Sequence, residues 1–204
     1  MKRFMACFLA LALFAGVFTG CGSKSDSKTA EALEAQTEAL FAAVTAFDLD
    51  TICTMMGSRG EEAQSVVTTV SEELSPTLLA YMKTNAAGIT YTVDEVDTEA
   101  LTVAVTVNYP DASEVLLSIW AQSVGDGNYG AVDYGDADYQ EAVDAVCQQV
   151  IAEATEPERV DAQLVLTYAQ ENDTYVISDV SGDLVNVITS GISGQLSAVT
   201  GAGR

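Results

Sequence analysis

Two stretches of this 204-residue chain alternate between apolar and other side chains with a period of two. Their apolar members are Leu101, Val103, Val105, Val107 and Tyr109 in the first stretch, and Val160, Ala162, Leu164, Leu166 and Tyr168 in the second. Because side chains two residues apart lie on one face of a β-strand, each stretch predicts a strand with one buried face. A shorter alternating run lies across a turn from each stretch, at 89–93 and 175–180, and we therefore predict two antiparallel hairpins.

Helical periodicity precedes the first hairpin. Apolar stripes predict one helix over Thr29–Phe47 and another over 63–74. Between them, Asp48 is expected to cap a short helix that Gly57 ends. Ser75-Pro76 has the pattern of an N-cap followed by proline at the first helical position, which predicts a further helix up to the first hairpin.

Helical signals recur between the hairpins and after the second one. Asp111 with Glu114, and Asp138 with Glu141, are spaced as capping boxes for two inserted helices. Residues 184–188 predict a short terminal helix. The order of helices, hairpin, helices and hairpin predicts an α+β fold in one domain spanning 29–190, followed by a flexible tail at 191–204.

The first twenty residues have the organisation of a signal peptide. Lys2 and Arg3 form a short positive region, and Phe4–Phe18 is an uncharged, mostly apolar run. Fifteen residues make about 22 Å of helix, which is shorter than the roughly 30 Å hydrocarbon core of a bilayer. We therefore predict a signal peptide over 1–20 rather than a permanent membrane span.

Thr19-Gly20-Cys21, which closes the apolar run, resembles the lipobox of bacterial lipoproteins. The resemblance implies that Cys21 carries diacylglycerol and becomes the first residue of the mature chain. Phe18 departs from the aliphatic residue usual at its position, and the alternative is an ordinary secretory signal. Residues 21–28 continue as a Gly/Ser/Lys stretch, which predicts a flexible tether. The expected location is the extracytoplasmic face of the cell membrane, where stable attachment needs more than one acyl chain.

The charge of the chain excludes one class of partner. The full sequence has a net charge of −22, and removal of a signal that contains two basic and no acidic residues leaves −24. Phosphate backbones are bound by clustered Lys and Arg, so nucleic-acid binding is excluded. Anionic headgroups also repel such a domain, which leaves the lipid as the expected membrane attachment. Solubility explains the acidity most simply, although it could also attract cationic partners.

The chain contains no histidine. This removes the commonest general base, the nucleophile triads that depend on histidine and most zinc sites. We predict no catalytic residue, no resident metal and no cofactor.

Three segments resemble the nuclear-transport-factor-like lipoproteins of Gram-positive bacteria. Residues 40–49 resemble the opening of that family, in which a helix is followed by Gly/Asp-Leu and a second helix. Residues 89–107 resemble its first hairpin, and 164–184 its closing hairpin and terminal helix, with Tyr175 where tryptophan is frequent. The resemblance implies a cone-like curved sheet built from the two hairpins, with the N-terminal helices packed around a pocket. The helical insertion between the hairpins departs from a minimal cone.

A pocket in such a fold would offer tyrosine side chains for chemistry. An isomerase- or lyase-like site needs an aspartate base and a tyrosine or protonated acid as donor. Among the apolar positions of the hairpins the only acid is Asp179, whose facing is ambiguous. The tyrosines that could point inward are Tyr81, Tyr91, Tyr109, Tyr168 and Tyr175. A strand tyrosine is more often a core residue, so catalysis is the lesser alternative.

The loop at 124–136 is rich in glycine and aspartate. Asp126, Asn128, Asp133, Asp136 and Asp138 could supply oxygen ligands to calcium. Their spacing fails the EF-hand pattern, because glycine is displaced and the bidentate glutamate is missing. The simpler interpretation is a solvated turn with helix caps.

Two cysteines remain in the predicted domain. Cys53 and Cys147 both fall on apolar faces of predicted helices. They could form a disulfide closing a loop of about ninety residues, or be two small buried apolar residues. The second interpretation is favoured slightly.

These observations lead to a membrane-anchored, non-catalytic lipoprotein that binds a small apolar ligand or another envelope protein. A cone-fold enzyme and a calcium-dependent adhesin or sensor are the alternatives.

Overall fold

The computed structural model describes residues 24–61, 64, 68, 74–125 and 137–191. Within these ranges the fold is α+β, as the sequence predicts. The α-helices are α1 (Lys24–Ala46), α2 (Leu49–Thr54), α3 (Pro76–Ala86), α4 (Ser113–Gly125), α5 (Ala137–Glu153) and α6 (Gly182–Ile188). The strands are β1 (Thr90–Asp97), β2 (Thr102–Asp111), β3 (Glu158–Glu171) and β4 (Thr174–Asp179), and a 3-10 turn covers Gly57–Arg59.

The two predicted hairpins join into one open antiparallel sheet. The strand order is β1-β2-β3-β4, and the hairpins meet through β2 and β3. That pairing runs from Thr102 opposite Thr167 to Asp111 opposite Glu158. The helical insertion between β2 and β3 therefore connects two neighbouring strands of the same sheet.

The core lies between α1 and one face of the sheet. Completely or almost completely buried side chains from α1 pack with those of the central strands. These are Leu33, Leu40, Phe41 and Val44 on the helix, and Val103, Val105, Val107, Leu164 and Leu166 on the strands. Each such side chain contributes about 1.5–3 kcal/mol by leaving water. On the other sheet face, in the part of the chain that the structure describes, Val165 is 61% exposed.

Two predicted helix starts are confirmed. The carboxylate of Asp48 accepts hydrogen bonds from the Thr51 backbone N–H at 3.0 Å and the Thr51 hydroxyl at 2.8 Å. These bonds lower the pKa of Asp48. Ser75 Oγ accepts from the Leu78 N–H at 3.2 Å, and Pro76 follows it in the first turn of α3. A capping side chain typically stabilises a helix by about 1 kcal/mol.

Pro110 does not end the second strand, contrary to the pattern expected of proline. The strand continues to Asp111, opposite Arg159 and Glu158 of β3. Pairing with β1 begins only at Asn108, so β2 is itself an edge strand at Pro110. Proline is tolerated at such a position because it has no second neighbouring strand there to pair with.

Helix α1 begins earlier than the sequence predicts. It starts at Lys24 rather than Thr29, so residues 24–28, expected in a flexible tether, are helical. Asp26 in the first turn favours this start, because a negative charge there complements the helix dipole. None of the helices in the described ranges is both long enough and apolar enough to cross a bilayer.

Other predictions fall outside the described residues. They concern the signal peptide and Cys21, most of the helix at 63–74, residues 126–136 of the loop predicted at 124–136, and the tail from 192 onward. Residues 124 and 125, also predicted in that loop, are instead the end of α4.

Candidate functional site

An open cleft lies where β2 ends and β3 begins. Its volume is about 520 Å³, and α4, the end of α5 and the segment leading into β3 form its walls. Carboxylates dominate the charged groups of its lining, namely Asp111, Glu114, Glu153, Glu156 and Glu158. No lysine or arginine lines the cleft in the part of the chain that the structure describes. The cleft therefore attracts positively charged groups.

Local hydrogen bonds hold the wall of the cleft at Asp111. The Asp111 carboxylate accepts from the Ser113 N–H at 3.0 Å, which turns the chain from β2 into α4. The Ala112 N–H donates to the Ser190 carbonyl at 2.8 Å and so ties this turn to the residues after α6. Asp111 and Glu114, proposed from the sequence only as cap residues, are thus also part of the cleft.

The nearest arginine in sequence is held away from the cleft carboxylates by other bonds. Arg159 donates from Nε to Asn108 Oδ1 at 2.5 Å and from Nη2 to the Gly88 carbonyl at 2.8 Å. Asn108 in turn donates to Asp161 at 2.7 Å. This network joins the segment before β1 to β2 and β3. The guanidinium of Arg159 therefore makes hydrogen bonds that stabilise the fold.

Side chains fill the space between α1 and the sheet at Thr37. Thr37 Oγ1 donates to the Leu33 carbonyl at 2.9 Å and lies 2.8 Å from Tyr168 Oη. Because the threonine proton is used on the helix, the tyrosine hydroxyl donates to Thr37. Burial raises the pKa of Tyr168 to about 12. Phe41 stacks on Tyr91 with ring centroids 4.1 Å apart, which closes the adjacent space.

The tyrosines proposed for a pocket are spread over the molecule. Tyr109 Oη accepts from the Asn186 amide at 3.2 Å, and Tyr175 Oη lies 3.5 Å from Thr29 Oγ1. Among the described residues, the buried hydroxyl of Tyr81 has no hydrogen-bond partner. Asp179 is exposed at the end of β4, so its side chain does not lie in the core. Within the described ranges, the buried polar residues do not include a carboxylate beside any of these tyrosines.

Cys53 and Cys147 are buried free thiols, so the disulfide alternative is not formed in this structure. Cys53 belongs to α2, which packs on α1, whereas Cys147 belongs to α5, which packs on α3 and α4. Burial raises the pKa of both thiols. Both cysteines therefore act as small apolar residues of the core.

Asp144 ties α5 to the start of α3. Its carboxylate accepts from the hydroxyl of Ser75 at 2.5 Å and from the backbone N–H and hydroxyl of Thr77, each at 3.0 Å. The Ser75 bond is the largest cause that lowers the pKa of Asp144 from 3.8 to about 2. This cluster caps a helix, and its residues are not among those that line the cleft.

The calcium candidates Asp126, Asn128, Asp133 and Asp136 lie outside the described residues, as does the side chain of Asp138. Elsewhere in the described chain, acidic and cysteine side chains do not converge in a group that could hold a metal ion.

The cleft is a candidate site that sequence reasoning missed. Its carboxylates are scattered from 111 to 158, and only the acidic run at 153–158 signals it locally. Comparisons with protein-family models, curated proteins and solved structures find no match to this chain.

Proposed function

We propose that this protein is a bacterial lipoprotein, attached to the extracytoplasmic face of the cell membrane by acyl chains on Cys21. The observation that carries the proposal is the order of segments: a positive start, a short apolar run, Thr19-Gly20-Cys21 and then a folded domain. With a net charge of −24 after processing, the domain has no electrostatic attraction to anionic headgroups, so the lipid is the attachment.

The domain itself is proposed to be non-catalytic and to bind a partner through the acidic cleft. The cleft favours another envelope protein, or a small ligand, that presents positive charge. Thr37, Phe41 and Tyr168 fill the space between α1 and the sheet, which makes a small apolar ligand beneath α1 the less favoured occupant. The Tyr168 hydroxyl already donates to Thr37, and its raised pKa makes it a poor proton donor for an isomerase-like reaction.

A cone-like curvature of the sheet belongs to the same proposal. Register shifts between Val93 and Glu95 and between Thr167 and Tyr168 are positions where a strand bends and its twist increases. Such bends would wrap the sheet around α1 in the manner of the nuclear-transport-factor-like lipoproteins.

The anchor is tested by replacing Cys21 with alanine in the full chain. Cys21→Ala should leave the membrane fraction or accumulate as an unprocessed precursor, because the acyl chains have no attachment site. Cys7→Ala is the matched control and should fractionate as the unaltered protein does. Mature, membrane-associated Cys21→Ala protein would contradict the proposal.

The cleft is tested by partner capture with a charge-neutralised variant. Replacing Glu114, Glu156 and Glu158 by glutamine should abolish co-purification of the partner that the unaltered domain retains. The matched control replaces three exposed glutamates elsewhere, namely Glu31, Glu34 and Glu95, and should retain it. Equal retention by both variants would exclude the cleft as the binding site.

The calcium-dependent alternative has a separate test. Binding of an ion to the folded state raises the melting temperature at saturating ion concentration. We expect the same melting temperature with millimolar calcium and with EDTA, and an increase with calcium would restore the alternative.

A further inference from the structure

We propose that the lipid anchor fixes which end of the domain faces the bilayer: the end that carries the β1–β2 and β3–β4 turns. This inference rests on the proposed anchor at Cys21 and adds an orientation to it. Its consequence is that the acidic cleft is held at the membrane-distal end.

The direction of α1 over the sheet is the first step. Thr29 lies against Tyr175, which pairs with Gln170 near the β3–β4 turn. Farther along the helix, Thr37 meets Tyr168 of β3. Phe41 then stacks on Tyr91 at the start of β1.

These contacts give α1 a direction when each contacted strand residue is matched to the β3 residue that lies beside it across the sheet. Tyr175 pairs with residue 170, whereas Tyr91 pairs with Val107, which in turn pairs with residue 162. The helix therefore runs from the turn end of the sheet toward the end where β3 begins. Five more residues precede Thr29, so the start of α1 lies at or beyond the β3–β4 turn.

The length of β3 separates the two ends of the molecule. Its 14 residues span about 43 Å at the usual rise of a strand. The cleft lies at its first residues, through Glu158 and Val160. The start of α1 lies near its last residues, so the cleft and the anchored end are at opposite ends of the sheet.

The connection between the lipid and the helix is short. Only Gly22 and Ser23 separate Cys21 from Lys24, the first residue of α1. Three Cα–Cα steps cover at most about 11 Å. That reach is about a quarter of the length of β3, so the domain cannot stand with the cleft end on the bilayer and the start of α1 at the far end.

Energy transfer from the domain to the bilayer tests this orientation. The probe is the full lipidated chain in phosphatidylcholine vesicles with an acceptor dye on a fraction of the headgroups. Glu99→Cys places a donor dye in the β1–β2 turn, and Glu114→Cys places the same dye at the cleft. Both positions are exposed glutamates, and unaltered protein, whose Cys53 and Cys147 thiols are buried, gives the labelling background.

We expect loss of most donor emission at position 99 and retention of most of it at position 114. Equal quenching at the two positions, or the reverse order, would overturn the orientation. Failure of the protein to float with the vesicles would instead refute the anchor, and the orientation with it.

A longer linker between Cys21 and α1 tests whether the short connection is what sets the orientation of the domain. Inserting about twenty Gly/Ser residues between Ser23 and Lys24 should remove the difference between the two donor positions, because a flexible linker of that length spans about 25 Å on average. A difference that survives the insertion would show that the connection does not set the orientation.

Discussion

At the scale of single residues, the most consequential contact is the hydrogen bond between Thr37 and Tyr168. Both side chains are buried, at 0% and 3% exposure, and each is the other's side-chain partner. The neighbouring sequence does not explain why a threonine stands in the apolar stripe of α1, because the tyrosine that it meets is 131 residues away. The sequence therefore predicted that Tyr168 lies in the core, but not the hydrogen bond that its hydroxyl makes with Thr37.

Removing one partner of this pair should destabilise the fold. Thr37→Val leaves the Tyr168 hydroxyl buried without an acceptor and should lower the free energy of unfolding by about 1–3 kcal/mol. Adding Tyr168→Phe should cost less than the sum of the two single changes, as measured by urea unfolding. Thr84→Val, an exposed position on α3, should change stability by less than about 0.5 kcal/mol. Strict additivity of the two core changes would contradict the bond.

Asp144 should make stability depend on pH in the acid range. Its pKa is lowered to about 2 in the folded protein, so its stabilising bonds are complete above about pH 4 and are lost as the pH falls through 2. The stability difference between the unaltered protein and Asp144→Asn should shrink over that interval. Asp179→Asn, an exposed carboxylate on β4, reports the general effect of losing one charge. A difference that stays constant from pH 4 to pH 2 would show that these bonds do not depend on ionisation.

At the scale of elements, the two edge strands of the sheet are protected from pairing with other chains in different ways. The edge at β4 is covered, because the Ile177 N–H donates to the Met55 carbonyl at 2.9 Å and Arg59 donates to the Ser178 carbonyl at 2.6 Å. Strand β1 carries a register shift after Val93 and exposed carboxylates, which are features that discourage pairing with other chains.

The cover over β4 depends on Gly57. Its φ is +58°, and an added Cβ would lie 2.7 Å from Glu171 Oε2 and 3.0 Å from Val176 Cγ1. Gly57→Ala should therefore destabilise the domain by at least about 1–2 kcal/mol in thermal or urea unfolding. Gly182→Ala is the matched control, because nothing lies within 4 Å of its added Cβ. Equal effects of the two substitutions would contradict the close packing at Gly57.

The elements were predictable where the signal was local. Alternation predicted β2 and β3, and the caps at Asp48 and Ser75 predicted two helix starts, because each pattern lies within a few residues. The joining of the hairpins through β2 and β3 was not predictable in the same way. It depends on pairing across the insertion, and on the register of Thr102 with Thr167, which no short segment specifies. The cleft at the end of that pairing was missed for the same reason.

At the scale of the whole molecule, negative charge is the dominant property. The chain has 30 acidic and 8 basic residues, and the buried core of the described part is apolar apart from a few neutral polar groups. The acidic residues of the described part therefore share the surface, where they repel one another.

This repulsion should make stability depend on salt. Raising sodium chloride from about 0.01 M to 0.15 M shortens the Debye length from about 30 Å to 8 Å and should raise the melting temperature of the domain. Sucrose at matched osmolality controls for general solute effects. A melting temperature that falls with salt would mean that attractive rather than repulsive pairs dominate the surface.

The intact mass of the protein purified from the membrane fraction reports directly on lipid attachment at Cys21. We expect the mass of the chain from Cys21 onward plus a diacylglyceryl thioether, with or without an acyl group on the new N-terminus. An unmodified chain, or one that begins at a residue other than Cys21, would contradict it.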